Sequence, residues 1–128
     1  MFISLVRSKL HQARVTEADI EYEGSIGIDT DLLAQAGMFP YEKVLIADIE
    51  NSERFETYII PQPAGSRAIQ LNGAAAKLVS VGDRVIIMAF AQVELPPPAN
   101  WQPRVLILDE NNTVKQTLGQ IIGAQPKA

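Results

Sequence analysis

The stretch Tyr22-Glu23-Gly24-Ser25-Ile26-Gly27-Ile28-Asp29 decides how this chain is organised. It sets a Gly-Ser peptide bond just ahead of a helix start. Glycine admits backbone angles closed to other residues and leaves its carbonyl sterically open, while serine puts a hydroxyl beside that carbonyl. Such a hydroxyl can attack its own upstream amide. An ester then replaces the peptide bond, elimination cuts the chain and leaves a dehydroalanine, and its hydrolysis with loss of ammonia gives a reactive carbonyl that needs no external cofactor. Gly-Ser is also an ordinary turn pair, and it recurs at Gly65-Ser66.

Downstream, Asp29-Thr30 offers an N-cap for a short helix running through Asp31, Leu32, Leu33 and Ala36, and Gly37 stops it. Upstream, Val15 to Tyr22 is mixed, with acidic residues at Glu17, Asp19 and Glu21. Phe2 to Val15 lacks helix caps and reads as one or two strands. The Gly-Ser bond is thus bracketed between a strand and a capped helix. On a strand, Lys9 and His11 share a face and Leu10 takes the other. Alone, that pair reads equally as two solvated side chains.

Farther on, Val44 to Ile49 is a buried strand, Asn51-Ser52 a turn and Arg54 to Ile60 the returning strand of a hairpin. Arg54, Glu56, Tyr58 and Ile60 share one face, and Phe55, Thr57 and Ile59 the other. A cluster using both Thr57 and Tyr58 therefore needs a bulge, a twist or a subunit boundary. Pro61 to Ser66 reads as a loop and Ala68 to Leu71 as a short strand. Asn72-Gly73-Ala74-Ala75-Ala76 opens a turn or short helix whose free N–H groups can receive a carboxylate, or a plain helix start. After the Gly82-Asp83 turn, Arg84 to Phe90 reads as a continuous apolar core strand. Pro96-Pro97-Pro98 stiffens a loop, Val105 to Leu108 is the last strand, Asp109 to Asn112 is a polar turn, and Gly123 to Ala128 reads as a mobile tail. The expectation is a mainly β single domain over residues 1–128, a β-rich barrel with one or two short helices.

Composition narrows the function. A chain of 128 residues with 47% apolar content fits one core and one site. The absence of cysteine removes disulfides, thiolate zinc sites and a cysteine nucleophile, and the single His11 removes a multi-histidine metal centre within one chain. A net charge of −4 without clustered Lys or Arg argues against nucleic acid as a partner. Nothing resembles a leader or a membrane span, so the expected location is the cytoplasm.

Together these stretches resemble the pyruvoyl-dependent aspartate alpha-decarboxylase family. The matching pieces are Lys9-Leu10-His11, Val15-Thr16, Tyr22-Glu23-Gly24-Ser25 with Ile28-Asp29, Ala36-Gly37, Arg54-Phe55-Glu56-Thr57-Tyr58, Gly65-Ser66, Asn72 to Ala76 and Gly82-Asp83, in order and at family spacing. Trp101 and Pro103 are weaker echoes. Asn51-Ser52 stands where the family often has Asn-Gly, Asp48 lies near a frequent asparagine, and the chain from Gln92 onward matches poorly.

The resemblance implies a double-psi beta-barrel, a homotetramer with sites at subunit boundaries, and conversion of L-aspartate to beta-alanine and carbon dioxide for pantothenate synthesis. It implies cleavage between Gly24 and Ser25 into a short chain, 1–24, and a longer one, 25–128. Ser25 becomes a covalently bound pyruvoyl group that forms a Schiff base with substrate, in place of pyridoxal phosphate or a metal. By the same resemblance Thr57 stabilises the oxyanion of cleavage and also contacts substrate, and Arg54 grips a substrate carboxylate. Lys9 adds positive charge, Gly73-Ala74-Ala75 completes the substrate cradle, and Tyr58 reprotonates the product carbon. His11, Tyr22 and Asn72 support the site. Whether an accessory maturation protein assists cleavage stays open.

Two other readings compete. A serine hydrolase would need glycine where Glu23 stands in the Gly-x-Ser-x-Gly elbow, and His11 as its base. A noncatalytic barrel acting as a binding module would need no processing.

Overall fold

The structure, a computed structural model, describes residues 1–123. Most of the expected mobile tail, residues 124–128, lies outside them. Nine strands form the frame: β1 (Phe2–Arg14), β2 (Glu17–Asp19), β3 (Ser25–Asp29), β4 (Lys43–Asp48), β5 (Arg54–Gln62), β6 (Ile69–Asn72), β7 (Arg84–Glu94), β8 (Arg104–Leu108) and β9 (Val114–Leu118). Helix α1 (Thr30–Ala36) follows β3, and a 3-10 helix, Gly73–Leu78, follows β6.

The strands join in the order β2-β6-β3-β5-β4-β7-β1-β8-β9. Thirteen-residue β1 thus sits inside the sheet, antiparallel to β7 and parallel to β8. The sheet curls: just after β1, the Thr16 amide donates to the Ile69 carbonyl of β6 at 2.9 Å, and Val15 exchanges bonds with Asp83 and Gly82 ahead of β7. Strands from distant places in the order therefore meet, in a barrel-like arrangement around Leu10, Ile26, Ile46, Ile59, Ile87 and Leu106, all fully buried. No helix among the described residues is long and apolar enough to cross a membrane.

The capped helix forms as its sequence dictates. Asp29 Oδ1 accepts the Asp31 amide at 2.7 Å, and Gly37 closes the helix at φ +74°. Asp29 also accepts the Gly65 and Arg67 amides, so one buried carboxylate ties the helix start to the loop ahead of β6.

Two expectations are corrected and one segment without an assigned element is filled in. Ser25–Asp29 is a strand, all five residues buried, because β5 and β6 take up its backbone bonds on either side. Arg84 to Phe90 is not buried on both faces. Val85, Ile87 and Ala89 point into the core while Ile86 and Met88 lie half-buried on the outer face, and the strand runs on to Glu94 because β1 supplies partners that far. Polar Val114–Leu118 forms a further strand along β8.

The β4–β5 turn carries an unusual carboxyl. Asp48 is 2% exposed, and its Oδ1 accepts the Glu50 and Asn51 amides. Its Oδ2 has no donor, and Asp83 lies beside it. Burial first, then the hydrogen bond to Asp83, raises the Asp48 pKa from 3.8 to about 6. A carboxyl with a raised folded pKa holds its proton more tightly in the native state. That stabilisation is complete below pH 3.8 and is lost as pH rises through about 6. Asp48→Asn supplies an amide donor in place of the proton. It is expected to raise the thermal midpoint by roughly 3 °C at neutral pH, and the gain should vanish in melts near the unfolded carboxyl pKa of about 4.

Candidate active site

Strand pairing builds the site from β3 outward. The antiparallel β3–β6 register puts Ser25 opposite Asn72. Ser25 is fully buried. Its Oγ donates to the Glu23 carbonyl at 3.2 Å and accepts from Asn72 Nδ2 at 2.9 Å. Asn72 is itself 1% exposed, and its Oδ1 accepts from Gln70 Nε2 at 2.9 Å. Two strands thus hold the serine hydroxyl against the residue pair that precedes it.

The turn out of β6 closes this centre from one side. Gly73 takes φ +67°, and a Cβ there would stand 2.7 Å from both Cα and N of Gly24 and 3.0 Å from the Tyr22 carbonyl oxygen. Backbone packs on backbone, which a side chain at residue 73 would prevent. Ala74 is exposed and Ala75 half-buried against the core. Tyr22, 58% exposed, lines an open depression with Glu21, Glu23 and Ile60 beside the Gly-Ser bond.

On the other side, β5 runs parallel to β3 with Ile26 beside Ile59. Continuing that register one residue back sets Ser25, the first residue of β3, abreast of Tyr58, while Gly24 lies at a bend ahead of the strand. The pairing of β5 with β3 and β4 has no register shift, so Thr57 and Tyr58 keep to opposite faces and no bulge unites them. Thr57 lies beside buried Val44, and Tyr58 beside Lys43.

The cationic candidates stand apart. Lys9 on β1 is in a row with Met88 of β7, Leu45 of β4 and Glu56 of β5, while Arg54 pairs with Ala47, which faces Ile86. Lys9, Arg54, Tyr58 and Glu56 therefore share the outer face of the sheet, with three strand steps between Lys9 and β5. Among the described residues, no hydrogen bond or ion pair joins Lys9, His11 or Arg54 to Gly24, Ser25 or Asn72. His11 Nδ1 is buried without a partner, and burial, then the Lys9 ammonium, lowers its pKa below the ordinary imidazole value. The ring is neutral at neutral pH.

Within one chain the candidates divide into a centre around Gly24-Ser25 (Thr57, Tyr58, Asn72, Gly73) and an outlying set, cationic Lys9 and neutral His11 on β1 and cationic Arg54 at the start of β5. Gln70 was missed. Its signal was the two-residue alternation that puts it on the Asn72 face, but glutamine on a short strand carries no chemistry of its own.

The fold and site define a class: a small β protein in which a Gly-Ser peptide bond precedes a buried serine hydroxyl fixed by hydrogen bonds. The chain belongs to the aspartate decarboxylase family, whose sequence model matches residues 1–115. The match thus extends past Gln92, where resemblance was expected to fade. It is 54% identical to an aspartate 1-decarboxylase of Coprothermobacter proteolyticus over 91% of this chain and 95% of that one. It is 52% identical to one of Chlorobium chlorochromatii over 98% and 95%, and 54% identical to one of Thermosipho africanus over 86% and 90%.

Proposed function

We propose that this protein removes the α-carboxylate of L-aspartate, giving beta-alanine and carbon dioxide, on a pyruvoyl group made from its own Ser25. The observation that carries the reading is the buried Ser25 hydroxyl, held by Asn72 beside Gly24, against whose backbone Gly73 packs. Ser25 Oγ bonds to the Gly24 carbonyl carbon, the amide C–N bond breaks, and the hydroxyl proton passes to the freed nitrogen. Loss of the Ser25 Cα proton with cleavage of the Cβ–O bond then releases a Gly24 carboxylate. Water replaces the resulting enamine nitrogen, and ammonia leaves. Thr57, the residue before Tyr58 on the strand paired with β3, stabilises the oxyanion of the first step.

When present, the pyruvoyl ketone supplies an electron sink for the carbon–carbon bond that breaks. Arg54 holds the retained carboxylate through a two-pronged pair, with Lys9 adding charge and the Gly73-Ala74-Ala75 backbone closing the cradle. Tyr58 delivers the proton to the carbon that lost carbon dioxide. Neutral His11 and exposed Tyr22 line the approach. A homotetramer lets the cationic group of one subunit serve the Ser25 of another. The reading places the protein in the cytoplasm, supplying beta-alanine for pantothenate.

The test is the intact mass of freshly purified, denatured protein. Two fragments divided between Gly24 and Ser25 are expected, the larger lighter by one ammonia than simple hydrolysis predicts. A single uncut mass that survives warming and added host-cell extract would defeat the proposal. Arg54→Ala should still cleave but raise KM for aspartate roughly 10- to 100-fold, measured by carbon dioxide release, as expected for the loss of a charge-assisted contact.

A further inference from the structure

The Ser25 hydroxyl ends a relay that begins outside the Gly-Ser motif. Gln70 Nε2 donates to Asn72 Oδ1, Asn72 Nδ2 donates to Ser25 Oγ, and Ser25 Oγ donates to the Glu23 carbonyl. The two ends of a side-chain amide have nearly the same shape, so packing does not decide which one meets a neighbour. Asn72 is 1% exposed, so solvent does not decide it either. The donor on Gln70 does, by claiming the amide oxygen.

The choice matters for the nucleophile. With Nδ2 toward Ser25, Oγ receives a hydrogen bond that strengthens as its proton leaves and negative charge grows. With the amide reversed, Oδ1 would take the hydroxyl proton away from the Glu23 carbonyl and set an oxygen lone pair against the developing alkoxide.

We propose that Gln70 is a positioning residue for chain cleavage, acting through Asn72 to present an N–H donor to Ser25 Oγ. The inference rests on the self-cleavage reading. In the step it serves, the Oγ–C bond to Gly24 forms, the Gly24–Ser25 amide C–N bond breaks, and the hydroxyl proton moves to the released nitrogen. Gln70 takes no part in those bond changes.

The test inverts the polarity of residue 70. Glu17 stands opposite Gln70 in the β2–β6 pairing, so the variants are made on a Glu17→Gln parent to avoid a charge at that neighbour. Ionised glutamate only accepts and turns Asn72 round, whereas lysine only donates and keeps it in place. Cleavage is followed by intact mass. Gln70→Glu is expected to cleave about tenfold more slowly than the parent at neutral pH, one hydrogen bond's worth of barrier, and Gln70→Lys within about threefold of it. Relative to the parent at each pH, the glutamate variant should recover as pH falls toward about 4, where its carboxyl regains a proton to donate. A role confined to packing would show neither the lysine rescue nor that recovery. Should the glutamate variant not fold, Gln70→Leu, which leaves Asn72 free to turn, takes its place with a smaller slowing expected. Equal rates in parent and folded variants, or a lysine variant as slow as the glutamate one, would overturn the inference alone. A parent that never cleaves would overturn the self-cleavage reading beneath it.

Discussion

Gly73→Ala is expected to slow chain cleavage at least 100-fold, the scale on which displacement of about 1 Å penalises a positioned reaction. The new methyl group would sit 2.7 Å from Cα and N of Gly24, and no rotamer change can relieve a contact with backbone. Residue 73 would also keep a left-handed φ of +67°, adding roughly 1–2 kcal/mol of strain for a residue with a Cβ. Either residue 73 or Gly24 must move, and in the proposed cleavage Gly24 carries the carbonyl that Ser25 attacks. Gly65→Ala is the control: its φ is +82° but the Cβ position is open, so it should share the strain and keep cleaving. Equal slowing in both variants, measured by intact mass alongside thermal unfolding, would mean that strain rather than the Gly24 contact is responsible.

Ser25→Ala should abolish both cleavage and decarboxylation while leaving the fold in place. The hydroxyl makes two hydrogen bonds in the interior, and its loss strands Asn72 Nδ2, a cost of about 1–3 kcal/mol that a core of this kind can absorb. The purified variant should give one mass for the uncut chain and no carbon dioxide from aspartate. Undiminished carbon dioxide release from an uncut chain would remove the serine from the chemistry.

Local chemistry made much of this readable from sequence. The cap at Asp29, the stop at Gly37 and the hairpin from Val44 to Ile60 depend on neighbours a few residues away, and all three formed as expected. Ser25–Asp29 was harder, because Ile26-Gly27-Ile28 is too short an alternation to declare a strand before its partners are known. Those partners, β5 and β6, begin about thirty or more residues later in the chain. Val114–Leu118 hid for the opposite reason: an edge strand needs apolar residues on neither face. In the site, Gly24 and Ser25 announced themselves by bond chemistry, and Asn72 and Gly73 came with the family resemblance. Gln70 did neither, since its contribution is the direction of a hydrogen bond. The separation of Lys9 from Ser25 follows from sheet order, which residue spacing does not encode, whereas Arg54 sits on the neighbouring strand β5 and is set apart only by its place at the strand's start.

The place of β1 inside the sheet bears on what cleavage would produce. A cut after Gly24 frees the end of a segment whose thirteen-residue strand is hydrogen-bonded to β7 on one edge and β8 on the other. The short piece would stay lodged between them, so the mature protein would be a two-component complex and the cut a nick. Denaturation would then separate partners that no covalent bond holds together. Refolding would then need the two pieces of each subunit to find one another before subunits could assemble, an association step that the uncut precursor does not need.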